Sequence, residues 1–289
     1  MPDINFRAGT EYSFAQGLDV TASNFPSSEL LRRVGSPVVI ASFMRSGTHL
    51  AIDTLRANFD CFTTWKYPLE KNSCLYADLD VYMRPVKLWQ RPGLRKRLIR
   101  PSRPMFKSHW ALSHWSTVKH LHPQLTDWIE DQGRIILVVR DPRKILLSNI
   151  AWDCSLASGS AQLDLPALAT SLLAKLRRRW MEIITCDIAP LYILDASVLL
   201  TCPSMVLAEL SKFLHADLSY DPPVLPAPLS SQLRSRLQRL YAVRPPSTAI
   251  LTHCNPSDYS WLLDTEVVRN ALTDLFDDDK LHPLLSRYN

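Results

Sequence analysis

Apolar positions along this chain fall into short unbroken runs that alternate with stretches of helical period. Pro37-Val38-Val39-Ile40-Ala41-Ser42-Phe43 reads as a buried strand, β-branched and bounded by Gly35 and Gly47. From Thr48 to Phe59 the period changes, and Leu50, Ile52, Leu55 and Phe59 lie near one helical face. Pro104 to His109 predicts a second strand running into a loop, and Arg134-Ile135-Ile136-Leu137-Val138-Val139-Arg140 is the strongest strand of the sequence. Its near-continuous apolar run is what a central strand of a parallel sheet needs, because both of its faces are covered. Asp141-Pro142 then pairs an N-cap acid with proline at the first helical position, and Ile145, Leu146 and Ile150 follow on the helix.

Further on, Asp164 to about Thr185 predicts a long helix with Leu168, Leu172, Leu176, Trp180 and Ile184 on one stripe. Leu191 to Leu194 is a short strand, and Pro203–Leu214, Leu229–Tyr241 and Thr265–Phe276 predict amphipathic helices. Strands alternating with helices give an α/β fold of three layers, a central parallel sheet flanked by helices. Residues 60–103 interrupt the alternation and read as a surface excursion with short helices, placed to line an acceptor site or to act as a lid. No repeat, low-complexity stretch or linker divides the chain, so residues 1–289 are expected to form a single domain.

Two strand-to-helix junctions carry chemistry. Ser42-Phe43-Met44-Arg45-Ser46-Gly47-Thr48-His49 joins the first strand to its helix, and backbone N–H groups at a helix N-terminus form an anion site. Gly47 lets the chain turn and a phosphate approach, Arg45 offers a planar fork for phosphate-type oxygens, and Ser46 and Thr48 add hydroxyl donors. His49 could donate to a phosphate or cap the helix. Taken alone, the loop is equally compatible with an ordinary turn containing one glycine. The second junction, Arg140-Asp141-Pro142-Arg143, has Ser148 eight residues beyond Arg140. Two strand ends side by side, each with a helix N-terminus and an arginine, form the kind of crevice in which open α/β sheets bind ligands.

Composition narrows the classes. Only 7 of the 289 residues are glycine, where average usage would give roughly 20. A Walker A loop is missing: Ala41 stands at its first glycine and Thr48 at its lysine. The net charge of +5 comes from one segment, Arg84 to Arg103, which holds Arg84, Lys87, Arg91, Arg95, Lys96, Arg97, Arg100 and Arg103 with no acid among them. That run suits an anionic ligand or a solvated basic face and gives weak support for nucleic acid, which is not expected as a partner. The 6 cysteines show no CxxC and no zinc spacing, and no metal site is expected. With neither a signal-like first segment nor an apolar run of about 20 residues, a cytoplasmic chain without an integral membrane segment is expected.

The pairing of SFMRSGTHL after one strand with RIILVVRDPRKILLSNI across another resembles the PAPS-dependent sulfotransferases, which transfer a sulfuryl group from 3′-phosphoadenosine 5′-phosphosulfate. The likeness covers roughly residues 37–59 and 104–152, with a weaker echo at Pro203–Leu214, and it implies a P-loop-like version of the three-layer fold with a donor-binding core at about 37–59 and 104–215. It further implies that Arg45, Ser46, Gly47, Thr48 and His49 cradle the 5′-phosphosulfate and that Arg140 and Ser148 bind the 3′-phosphate. Between the two loops, Phe106-Lys107-Ser108-His109 resembles the family segment that carries the base. By that resemblance His109 is the general base, and Lys107 and Arg45 stabilise the moving charge. The implied donor is PAPS, with PAP as product and no metal, and the implied acceptor is a hydroxyl or amine of a small molecule or sugar.

The pattern departs from the family at several points. Leu50 stands where many members carry a tryptophan against the adenine, and Leu194-Asp195-Ala196-Ser197 has no tyrosine where the family has one. The glycine-bearing segment that supplies a further 3′-phosphate contact is absent, and only Asp258-Tyr259-Ser260-Trp261 is similar to its end. A bacterial-type or otherwise divergent member fits best. Trp65, Tyr67, Tyr76, Tyr82, Trp89, Trp110, Trp115 and Trp152 flank the base and could wall an acceptor or serve the core. The rival classes are a P-loop small-molecule kinase and a catalytically silent nucleotide-binding protein. The first lacks its lysine, and intact Lys107 and His109 argue against the second.

Overall fold

The computed structural model describes residues 35–62, 77–83, 103–156, 163–219, 222, 223, 225 and 255–288. Five parallel strands form one sheet: β1 (Val38–Ser42), β2 (Ala77–Asp78), β3 (Met105–Ser108), β4 (Arg134–Val139) and β5 (Leu191–Asp195). Their spatial order is β2-β3-β1-β4-β5. The predicted strands lie where the apolar runs are, and β1 and β4 hold the centre. Register pairs Ala41 with both Ser108 and Leu137, Ser42 with Val138, and Val139 with Asp195. The carboxyl ends of β1, β3, β4 and β5 therefore share one edge, from which the predicted loops emerge.

Helix α1 (Thr48–Asn58) follows β1. Two helices, α2 (Trp115–Leu121) and α3 (Pro123–Gln132), lie between β3 and β4. After β4 come α4 (Pro142–Leu156) and α5 (Leu165–Ile184), and after β5 come α6 (Ala196–Thr201) and α7 (Pro203–Leu214). A 3-10 segment, Pro256–Asp264, precedes α8 (Glu266–Phe276) and α9 (His282–Leu285). The predicted cap acts as read, with Asp141 Oδ1 accepting from Arg143 N at 2.9 Å; Asp164, the first residue of the predicted long helix, also caps it, its Oδ1 accepting from Ala167 N at 3.0 Å.

Period-2 alternation divides the strand side chains between two cores. Val39, Ala41, Ile135, Leu137 and Val139 pack with α3, α4, α5 and α8, while Val38, Ile40, Ile136 and Val138 pack with α1 and α7. Both faces are covered, which gives the expected three layers. Each fully buried Val, Ile or Leu contributes about 1.5–3 kcal/mol of transfer free energy, enough to make the sheet a rigid base for its edge loops.

Some elements escaped the periodic reading. β2 has two residues, α2 has seven and α6 has six, all too short to show a period. The predicted helix at 229–241 lies outside the described residues, as do the polar segment 1–34 and residues 84–102 of the basic run. Arg103, the last of that run, is no solvated cation: its Nε donates to the Ser36 carbonyl at 2.8 Å and its Nη1 to the Leu214 carbonyl. It ties the entry of β1 to the end of α7.

Candidate active site

The first loop turns by means of two left-handed residues. Gly47 has φ 101°, and a Cβ there would stand 2.9 Å from the Ala196 Cβ, so both conformation and space require glycine. Arg45 has φ 69° without glycine's freedom, a strained state that costs on the order of 1–3 kcal/mol and that recurs at ligand-binding turns. Gly47 serves as N-cap of α1 and offers no side chain, which leaves the first amides of the helix to an incoming anion. The Ser46 hydroxyl is buried in the loop without a hydrogen-bond partner. Thr48 Oγ1 lies 2.6 Å from Ser42 Oγ, and His49 is half-buried in the first turn.

The second loop is bound directly to the first. Arg45 Nε donates to Ser148 Oγ at 3.0 Å, Arg140 Nη1 donates to the Arg45 carbonyl at 3.2 Å, and Asn149 Nδ2 donates to the Met44 carbonyl at 3.2 Å. Residues about a hundred positions apart thus form one cradle. Arg140 enters no ion pair with a carboxylate among the described residues, and burial holds its pKa below the ordinary arginine value. A half-buried guanidinium that closes no salt bridge suits a phosphate. The Arg45 guanidinium also lies over the Trp152 ring, 5.1 Å from its centroid.

His109 stands at the end of β3, against the last residue of β1. Its Nδ1 lies 2.9 Å from the Ser42 carbonyl and 3.2 Å from Ser42 Oγ. A carbonyl can only accept, so Nδ1 carries the proton and the neutral ring keeps its lone pair on Nε2. Burial, and then the positive charge of Lys107, push the His109 pKa down to about 4. The ring is therefore neutral throughout the physiological range. Lys107 Nζ lies 3.4 Å from Asp78 Oδ2 on the neighbouring strand. Burial raises the Asp78 pKa, and Lys107 opposes that rise.

Sequence reasoning missed the groups that shape this loop. Asp80 Oδ1 accepts from the amides of His109, Trp110 and Ala111 at 3.1, 2.8 and 2.9 Å and from Ser108 Oγ at 3.2 Å, while its Oδ2 takes His109 N at 2.9 Å. One carboxylate thereby holds three consecutive backbone N–H groups around the candidate base. Behind them lies Arg179 on α5, 1% exposed. Its Nη1 donates to the Trp110 carbonyl at 3.1 Å and its guanidinium stacks on the Trp110 ring at 5.7 Å, but Nε and Nη2 have no partner. Burial lowers its pKa to about 10 against the pull of Asp80 and Glu182. No residue spacing in the sequence points from Asp80 or Arg179 to His109. Of these two, only Arg179 carries a local signal, a cation on the apolar face of a helix.

The structure thus brings Arg45, Ser46, Gly47, Thr48, Lys107, His109, Arg140 and Ser148 to one edge of the sheet. The flanking aromatics divide: Tyr82 is buried in the core, Trp115 Nε1 bonds Glu130 at 2.7 Å, and Trp110 and Trp152 stack on site arginines. Trp65, Tyr67, Tyr76 and Trp89 lie outside the described residues. Leu50 is buried in the core on the α1 side of the sheet. Among the described residues no group of three or more His, Cys, Asp or Glu could hold a metal ion, and no helix is long and apolar enough to cross a membrane.

No protein-family model matches the sequence, and no curated protein matches it. Solved structures do. The mouse sulfotransferase SULT7A1, crystallised with PAP, superimposes with a TM-score of 0.52 at 14% identity, over 91% of this chain and 94% of that one. Retinol dehydratase in complex with androsterone and inactive cofactor PAP matches at a TM-score of 0.47 and 15% identity, over 86% and 84% of the two chains. Sulfotransferase STF9 from Mycobacterium avium follows at 0.43 and 15%, over 90% and 79%. The first of these establishes the class of fold: the chain is built as a sulfotransferase is built, a parallel three-layer α/β structure. The resemblance read from the two loops holds at the level of that fold.

Proposed function

We propose that the protein is a PAPS-dependent sulfotransferase acting on a hydroxyl or amine of a small-molecule or sugar acceptor, with residues 1–289 forming a single catalytic domain. The observation that carries this reading is the bond from His109 Nδ1 to the Ser42 carbonyl. It supports the reading by keeping the proton on Nδ1 and the lone pair on Nε2, in a ring bonded to the strand end from which the loop that would hold the sulfuryl donor emerges. The donor fits the groups present: a buried Ser46 hydroxyl without a partner, open amides at the start of α1, and the half-buried Arg140 guanidinium hydrogen-bonded to the Arg45 carbonyl of the first loop.

PAPS would supply an activated sulfuryl group, its S–O bond to the 5′-phosphate breaking as the acceptor oxygen bonds to sulfur and the electron pair leaving with PAP. His109 Nε2 takes the acceptor proton, a contribution of about 10²–10⁴ in rate. A base whose pKa is pushed down to about 4 is weak in the free protein, but an anionic donor alongside raises that pKa by favouring the imidazolium. Lys107 and Arg45 offset the charge that develops on the sulfuryl and bridging oxygens, each worth about 10²–10³. Ser46, Gly47, Thr48 and His49 receive the 5′-phosphosulfate, and Arg140 with Ser148 receives the 3′-phosphate. No metal has a role in this scheme.

Calorimetry without magnesium tests the reading. It requires 3′,5′-ADP to bind tightly and ATP weakly. Tighter binding of ATP·Mg²⁺ would place the protein among the kinases instead.

A further inference from the structure

Two buried hydroxyls stand between His109 and the start of α1. Ser42 is the last residue of β1 and Thr48 the first of α1, and both are buried. Ser42 Oγ lies 3.2 Å from His109 Nδ1 on one side and 2.6 Å from Thr48 Oγ1 on the other. His109 Nδ1 also lies 2.9 Å from the Ser42 carbonyl. That nitrogen therefore carries the proton of the neutral ring and shares it between the carbonyl and the hydroxyl of one residue.

The tautomer fixes the direction of the whole chain of bonds, because a hydroxyl has one proton to give. Ser42 cannot give its proton to Nδ1, which already holds one. Among the described residues the other partner of Ser42 Oγ is Thr48 Oγ1, so Ser42 donates to Thr48. Thr48 Oγ1 makes no further hydrogen bond among the described residues, and its own proton is turned away from Ser42. Thr48 follows the N-cap Gly47, which has no side chain to satisfy the first amides of α1. Its hydroxyl proton thus belongs to the same helix start as those amides, a place that suits an anion. Donation runs from His109 Nδ1 to Ser42 Oγ, and from Ser42 Oγ to Thr48 Oγ1.

We propose that Ser42 is a positioning residue through which an anion on Thr48 and a proton on His109 favour each other. Consecutive hydrogen bonds polarise one another in a dry interior. An anion accepting from Thr48 makes that hydroxyl a better acceptor for Ser42, and makes Ser42 in turn a better acceptor for Nδ1–H. The ring then holds positive charge more readily at the moment it takes the acceptor proton on Nε2. The coupling is reciprocal, as linkage requires. It strengthens the base when the donor is in place, while the free protein keeps a neutral, weakly basic ring. At neutral pH the ring is unprotonated with or without nucleotide, so nucleotide affinity there is almost independent of the relay. This proposal rests on the sulfuryl-donor reading above and deepens it.

Other charges act on the ring as well. Lys107 on β3 and Arg179 on α5 oppose a proton there, and Asp80, in the segment after β2, favours it. Variants of Ser42 and Thr48 leave all three in place, so the titration of His109 isolates the relay. Imidazole resonances of the full chain, followed from about pH 3.5 to about pH 8 with and without saturating 3′,5′-ADP, test it. The chains compared are the wild type, Ser42→Ala, Thr48→Val and Thr48→Ser, with the His109 resonance assigned by its loss in His109→Gln. In the wild type the nucleotide raises the proton affinity of His109 at least about tenfold, a midpoint shift of about one pH unit. Less than half of that shift remains in Ser42→Ala and in Thr48→Val, while Thr48→Ser, which keeps the hydroxyl, retains it. Melting temperatures show that the variants fold, and either Ser42→Ala or Thr48→Val alone suffices. A full shift in either would show that the charge of the nucleotide acts through space, and would overturn the proposal. So would a bound nucleotide that leaves the wild-type midpoint unmoved. An equal loss in Thr48→Ser and Thr48→Val would deny the hydroxyl its role. A wild type that does not bind 3′,5′-ADP by calorimetry would defeat the donor reading itself, and this proposal with it.

Discussion

The cradle formed by residues 43–49 and 140–148 and the loop that carries His109 lie side by side on one sheet edge, yet they are held in opposite ways. The cradle takes its shape from its own residues: Gly47 in a left-handed turn, Asp141 capping α4, and Arg45 and Arg140 joining the two halves. The His109 loop is shaped from outside. Asp80, 29 positions earlier in sequence, gathers its amides, and Arg179, 69 positions after Trp110, holds the Trp110 carbonyl. Each arm of the anion-binding half is thus set by its own strand-to-helix junction and the two arms then bond to each other, while the proton-accepting half is set by residues of other elements.

That contrast can be broken from either side. The largest effect is expected at the remote side. Asp80→Asn keeps the size of the side chain but halves its acceptors and sets an NH₂ against backbone N–H groups, each of which costs about 1–3 kcal/mol when left unpaired. Turnover of PAPS should fall about 100-fold, while binding of 3′,5′-ADP by calorimetry stays within about threefold. Equal losses in binding and turnover would show that the two halves are not separable.

On the local side, Gly47→Ala meets both an unfavourable φ and the Ala196 methyl. The conformation alone costs about 1–2 kcal/mol, so affinity for 3′,5′-ADP should drop at least about tenfold. The His109 ring should keep its environment, as read from its imidazole resonances. A shifted resonance with unchanged affinity would reverse the assignment of local and remote.

The smallest effect serves as a control. Asp53 is buried on α1 behind the cradle, with Oδ2 unpartnered and Oδ1 3.3 Å from Arg56 Nη1. Burial raises its pKa to about 6 against the pull of Arg56. A carboxyl with a raised folded pKa loses stability as pH rises from its unfolded value through its folded one. Wild type therefore weakens between about pH 4 and 6 at this group, and Asp53→Asn should be more stable by on the order of 1–3 kcal/mol above that window. Below pH 4 the difference should vanish, and turnover should be unaltered throughout. Urea unfolding at pH 3.5 and pH 7.5 checks this, and a gain that persisted at low pH would deny the buried charge its cost.

The same contrast explains what could be read from the sequence. Strands β1, β3, β4 and β5, the cap Asp141 and the start of α5 at Asp164 were legible because apolar runs and helix starts are written in adjacent residues. The nearness of Arg140 and Ser148 was legible because both belong to one junction, Ser148 lying about two turns into the helix that Arg140 precedes. Asp80 was not, because it sits in the stretch 60–103 with no period of its own and meets His109 only through the pairing of β2 with β3. Arg179 carries a local signal, a cation on the apolar face of its helix, but it stands in the run Arg177-Arg178-Arg179, two of which are exposed, and nothing local ties it to His109. Its burial appears only once α5 is packed on the sheet. Tyr288 likewise reaches Asp195 across 93 positions, a distance no motif spans.

The most direct test of sulfuryl transfer with His109 as base is acceptor-dependent release of PAP from PAPS, measured across phenols, sugars, amines and lipid alcohols for the wild type and His109→Ala. The account predicts release that requires an acceptor and falls by about 10²-fold or more in His109→Ala, while that variant still binds 3′,5′-ADP. Acceptor-dependent release at the wild-type rate in His109→Ala would contradict it.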